Sequence, residues 1–242
     1  MLKSACLKIP EIAPILEKSY LHERLMQLRP NQRLKLDDTD DRLFYAYPRF
    51  VTHVDEGFIQ QLTDLYCDRL KPNTRIFDMM SSWVSHLPEE TQFSHIEGHG
   101  LNAEELARNP RFDRYFVQNI NENPQLPLPN EDFDAVLNCV SVQYIQYPEA
   151  IFSEIHRILK PGGVAIISFS NRMFFQKAIQ AWRDASEAQR VELVKSYFAG
   201  IPGFTTPEVI VQKSTVPNFL QWLGAPGGDP FYAVIAYRSS SN

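Results

Sequence analysis

Six histidines and three cysteines are the first residues to test for chemistry, and their spacing argues against metal and disulfide sites. No HExxH-like pattern occurs, and the one pair four apart, His95 and His99, has Gly98 and Gly100 on either side of the second histidine. That bracketing fits the end of a strand rather than a helix face, so no metal ligand set is expected. Cys6, Cys67 and Cys139 are odd in number and too far apart for a CxxC motif, which points to a reducing, cytoplasmic setting. Two other stretches concentrate polar and aromatic side chains. One is LFYAYPRFVTHVD, with Tyr45, Tyr47, Arg49, His53 and Asp55; the other is RIFDMMSSWVSHLP, with Asp78, Ser81, Ser82, Trp83 and His86.

Elements of a particular kind must position these residues. The 242 residues are 44% hydrophobic and 22% charged, ordinary values for a folded globular chain that can bury a sizeable core. The net charge of −5 repels a phosphate backbone, so nucleic acid is not an expected partner. No apolar run approaches the roughly 18 residues of a membrane span, and MLKSACLKIPEIAP lacks the apolar core of a secretory leader, so no membrane association is expected.

Apolar spacing predicts a helix over 11–30 and another carrying Phe58, Ile59, Leu62, Leu65, Tyr66 and Leu70 on one face, capped by Asp55. Residues 1–70 therefore read as a helical N-terminal extension, a lid of the same domain. From Lys71 the pattern changes to short apolar strands alternating with helices. Strands are expected at Arg75–Met79, Phe93–His99, Arg114–Asn119, Phe133–Val140 and Gly163–Phe169, and helices near 102–109, 148–160, 174–184 and 187–199. Glu208–Lys213 and Phe231–Arg238 have only a Pro/Gly-rich connection between them, too poor in helix for a parallel crossover, so they should pair antiparallel. The expected fold is α/β: a Rossmann-like, doubly wound sheet of seven strands, mostly parallel with an antiparallel C-terminal pair. The α/β domain runs over 71–238, with 239–242 as a tail.

The stretch LPLPNEDFDAVLNCVSVQYIQYPEAIFSEIHRILKPGGVAIISFSN narrows this further. It resembles the family element LPFPDxSFDxV…LHHxxDPxxxLxExxRVLKPGG of the class I S-adenosylmethionine-dependent methyltransferases, type 11 group, over roughly residues 71–170. In KPGG, Pro161 stops a helix and two glycines let the chain reverse. A nicotinamide enzyme would instead offer GxGxxG after the first strand, which is absent.

The resemblance implies methyl transfer from S-adenosylmethionine to a small-molecule acceptor. It also implies cofactor-facing positions: Asp78, Met80, Ser81 and Ser82 after the first strand, Gly100, Leu101 and Asn102 after the second, Asn119 and Ile120 after the third, and Cys139 and Gln143 after the fourth. Three departures stand out. The family's glycines after the first strand are here Met80, Ser82 and Val84, the ribose-binding acid is Gly100, and the acid beside the adenine is Asn119. Ser81, Ser82, Asn102, Asn121 and the nearby Glu97 offer replacement polar groups. A non-catalytic descendant binding another ligand or a protein partner is the alternative these departures raise.

Methyl transfer asks the protein mainly to position the acceptor and exclude water, with a base only where a proton must leave. The family's acceptor end would draw on the N-terminal segment and on Asn138, Cys139, Ser141, Gln143, Tyr144, Asn171 and Arg172. His53 is the preferred base, Arg49 the group for an anionic acceptor, and Tyr45 or Tyr144 the lining. His86 either faces the pocket or is a hydrogen-bonded residue of a helix turn, and Trp83 either stacks on a ligand or fills the space the glycines left.

Overall fold

The structure, a computed structural model, describes residues 28–212 and 228–240. The helix expected over 11–30 and most of the connection between the last two strands lie outside the described residues.

Seven strands form one sheet in the order β3-β2-β1-β4-β5-β7-β6. They are β1 (Arg75–Asp78), β2 (His95–Gly100), β3 (Arg114–Val117), β4 (Phe133–Cys139), β5 (Leu159–Phe169), β6 (Glu208–Gln212) and β7 (Phe231–Tyr237). β1 pairs parallel with both β2 and β4, Asp78 standing opposite Gly98 on one side and Leu137 on the other. β3 and β5 extend the parallel part, while β7 runs antiparallel to β5 and to β6, so the last two strands pair as expected. The chain order reverses between β1 and β4, so a crevice opens at the carboxyl ends of those two strands.

The helices cover both faces. In α1 (Asp41–Phe44) and α2 (Glu56–Arg69) the N-caps are aspartates; Phe58 N donates to Asp55 Oδ1 at 2.8 Å. α2 buries Phe58, Leu62, Leu65 and Tyr66 against Ile76, Ile166 and Ala233, each large side chain contributing roughly 1.5–3 kcal/mol. On the other face α4 (Pro148–Ile158) and α6 (Glu187–Ala199) pack Ile151, Phe152 and Ile155 against Val194 and Phe198; α3 (Ala103–Ala107) and α5 (Gln180–Arg183) are single turns.

Two expectations change. Pro161 does not end α4; the helix stops at Ile158, and Lys160–Gly163 already belong to β5, with Gly162 at φ +80° and a register shift opposite Phe133/Ala135. The helix expected over 174–184 shrinks to α5, because its first half bonds to the N-terminal segment instead. Leu36 N and Asp37 N donate to Gln176 O, and Gln180 N donates to Leu34 O. Lys177 is completely buried there, its Nζ donating to Thr39 O at 2.8 Å and pairing with Asp37 and Asp41. Residues 34–45 are thereby pinned across the end of the sheet.

Candidate functional site

A cavity of about 290 Å³ lies at the crevice where the strand order reverses, close to the usual lower size for a small-molecule pocket. The N-terminal segment supplies Tyr45, Arg49 and His53; the β1 end supplies Asp78, Met80, Ser81 and Ser82; the β2 end supplies Gly100, Leu101 and Asn102. Asn119 and Ile120 come from the β3 end, Cys139 and Tyr144 from the β4 end. Of the cofactor-facing candidates all but Gln143 line it, as do Tyr45, Arg49, His53 and Tyr144, whereas Tyr47, Asn138 and Asn171 do not. The Gln143 side chain is fully buried and donates to Val140 O at 2.8 Å, so it braces the turn after β4 and leaves the lining to its neighbours.

The loop after β1 keeps a glycine-like bend without a glycine. Met80 sits at φ +56°, a conformation that costs an ordinary side chain about 1–2 kcal/mol. His99 holds it there: Met80 N donates to His99 Nδ1 at 3.1 Å, Ser81 N to His99 O at 2.7 Å, and His99 Nε2 meets Gln118 O at 2.9 Å. Burial lowers the His99 pKa to about 4, so its ring is neutral and Nδ1 is free to accept while Nε2–H donates. Gly100 is a glycine for a related reason, since a Cβ there would stand 2.6 Å from Ser81 O.

A second carboxylate at that loop is Glu105 on α3, which the sequence reading missed. Its Oε2 accepts from Ser82 Oγ at 2.8 Å and its Oε1 from Arg49 N at 2.6 Å. Its only signal in the sequence was an acid in the first turn of the helix after β2. Other polar groups prove to be structural. Asn102 caps α3 through Oδ1 and donates from Nδ2 to Tyr45 O and Ala46 O; Asn121 donates to Asp41 and Tyr144 O and accepts from Gln146 N. Glu97 pairs with His95 and Asp55 caps α2, while Trp83 donates to Val51 O against Phe50 and is outside the lining. His86 faces the cavity, in an irregular segment rather than a helix.

Among the described residues three of this lining's carboxyl and guanidinium groups form no ion pair: Asp78, Glu105 and Arg49. Asp78 is buried, with only hydroxyls around it: Ser81 Oγ donates at 2.8 Å, and Ser85, itself accepting from Asn109 Nδ2, is the second donor. Burial pushes the Asp78 carboxyl up to about 7. Arg49 forms no ion pair among the described residues, whereas the other lining arginine, Arg172, is held by Asp229 at 2.7 Å. The Arg49 guanidinium stacks over Phe44, Tyr45 and Phe174 at 4.7, 5.6 and 5.4 Å. His53 meets the edge of Phe174 at 5.3 Å, and burial lowers its pKa below the usual 6.5. Tyr144 Oη accepts from Phe174 N at 2.8 Å and holds that ring in place.

Sheet order and cavity define the class I methyltransferase fold, and the methyltransferase domain family model matches residues 96–167. Residues 96–167 of the chain are thus similar to a type 11 methyltransferase domain. A malonyl-[acyl-carrier protein] O-methyltransferase of Marinomonas sp. (strain MWYL1) is 24% identical over 102 residues, 42% of this chain and 38% of that protein. The biotin biosynthesis bifunctional protein BioHC of Saccharophagus degradans is 37% identical over 60 residues, 25% of this chain and 11% of that protein. The chain thus spans well under half of either relative. Among solved structures, the [4+2]-cyclase SpnF superposes with a TM-score of 0.52 at 19% identity, covering 75% of this chain and 81% of that one. Among the described residues no helix is long and apolar enough to cross a membrane.

Proposed function

We propose that the chain is an S-adenosylmethionine-dependent methyltransferase acting on a small molecule, with a cofactor end rebuilt around His99. The observation that carries this reading is Asp78: a buried carboxyl, lining the cavity at the carboxyl end of β1, with no cation beside it among the described residues. A ligand bearing positive charge supplies what that carboxylate lacks. The donor set fits such a cofactor. Asp78 would face its cationic part, Glu105 retains unused lone pairs in the corner where Gly100 has no acid, and Leu101 and Ile120 offer apolar walls. When bound, the cofactor supplies an electrophilic methyl group on sulfur.

The chain's own residues then orient the acceptor and keep water out. Phe174, Tyr45 and Tyr144 form an aromatic wall, with Phe174 and Tyr144 stacked at 6.1 Å. His53 is neutral near pH 7, so its ring can take the acceptor's proton. The Cys139 thiol, pushed up to about 12 by burial, stays protonated and does not compete as a nucleophile.

The alternative, a non-catalytic binding protein, draws on the same loop, whose Met80 and Ser81 amides are already engaged by His99. Calorimetric titration with S-adenosylmethionine and S-adenosylhomocysteine separates the two. Saturable binding that Asp78→Asn weakens at least about tenfold supports the methyltransferase; no heat at millimolar ligand supports the alternative.

A further inference from the structure

Arg49, the lining arginine without an ion pair among the described residues, says something about the acceptor. Arg49 lines the cavity, yet among the described residues its guanidinium has one protein acceptor, Phe44 O at 2.9 Å from Nη2. Nη1 is buried with no partner among those residues. Neither acid of this part of the lining pairs with the guanidinium: Glu105 accepts from the Arg49 backbone amide and Ser82, and Asp41 is held by Lys35 and Lys177. Three aromatic rings hold the planar fork in place, which leaves it pre-organised for a planar or tetrahedral anion. Arg49 is half-buried, and a guanidinium with a buried, unpaired Nη1 gains from a ligand that completes it.

We propose that the cavity takes an acceptor carrying an anionic group beside a flat apolar body, and that Arg49 is the binding residue that selects it. The name acceptor rests on the methyltransferase reading; the anion site itself does not. Phe174 and Tyr144 provide the surface for the flat part, and Arg49 stands over the same Phe174 ring. Carboxylate, sulfonate and phosphate all satisfy this chemistry.

The test uses two dyes that differ in one group, 8-anilinonaphthalene-1-sulfonate and the neutral N-phenyl-1-naphthylamine, followed by fluorescence on the native chain and on Arg49→Gln and Arg49→Lys. The native chain should bind the sulfonate at least about tenfold more tightly than the neutral dye, as expected for a charge-assisted hydrogen bond. Arg49→Gln should remove that preference while leaving the neutral dye's affinity unchanged, and Arg49→Lys should retain part of it. Equal affinities in the native chain, no binding of either dye, or a preference that survives Arg49→Gln overturns the proposal. If Arg49→Gln does not fold, the native preference and the Arg49→Lys variant decide. S-adenosylhomocysteine is titrated alongside. A matching loss of its affinity in Arg49→Gln means that Arg49 holds that ligand's own carboxylate, and the proposal falls. Sulfonate selectivity in a chain that binds no S-adenosylhomocysteine upholds the anion site and removes the methyltransferase reading instead.

Discussion

Replacing Asp78 by asparagine should stabilise the protein while impairing its ligand binding. In the folded chain the carboxyl titrates at about 7, against 3.8 for an unperturbed aspartate, because it is buried. Below pH 4 the folded and unfolded chains both carry the proton and the site costs nothing. As pH rises from 4 to 7 the unfolded chain ionises first, so stability falls, and above 7 the full penalty is present. Three pH units correspond to on the order of 4 kcal/mol. The asparagine side chain has no charge to desolvate, although its amide loses about 1 kcal/mol by pairing less well with Ser81 and Ser85. The net gain at pH 8 is about 3 kcal/mol, or roughly 6–12 °C in Tm for a chain of this size. Urea denaturation at pH 5 and pH 8 measures it: the variant should gain at pH 8, gain less at pH 5, and bind S-adenosylmethionine more weakly at both. A variant that is destabilised equally at both values would mean that the carboxylate already has a countercharge and needs no cationic ligand.

Other outcomes follow from neighbouring features. His99→Ala strips the acceptor from Met80 N and a donor from Gln118 O, so it should cost about 2–4 kcal/mol in urea denaturation. Lys177→Met removes the buried cation that Asp37 and Asp41 share; a loss of about 3–5 kcal/mol is expected, with faster amide exchange over residues 34–45. If His53 takes the acceptor's proton, methyl transfer should rise with pH through a midpoint below 6.5, since the neutral ring is the active form, and His53→Gln should flatten that limb.

Much of the scaffold was legible because burial writes itself as pattern. β4, β5 and β7 are near-continuous apolar runs, and α6 matches its expected span because Ser186 and Gln189 form a capping box at its start. The helix over 174–184 was misread for a physical reason. Lys177 looks like a surface residue, and only the tertiary pairing with Asp37 and Asp41 pulls it inward and diverts the backbone. At the site, most of the positions taken from the family resemblance line one cavity, but what their side chains bond to was not legible. Asn102 and Asn121 are consumed by backbone groups, Gln143 braces a turn, and Glu105 emerges as the corner's acid because Ser82 and the Arg49 amide converge on it.

The contact between Ser81 O and Gly100 also bears on how this loop can change. An aspartate at position 100 would have to displace backbone, not a flexible side chain, and that backbone is moored by the two bonds to His99. An acid at position 100 therefore demands a coordinated shift of positions 80, 81, 99 and 100. In a loop so moored, a carboxylate is more readily supplied from a neighbouring element, as Glu105 on α3 stands beside Ser82.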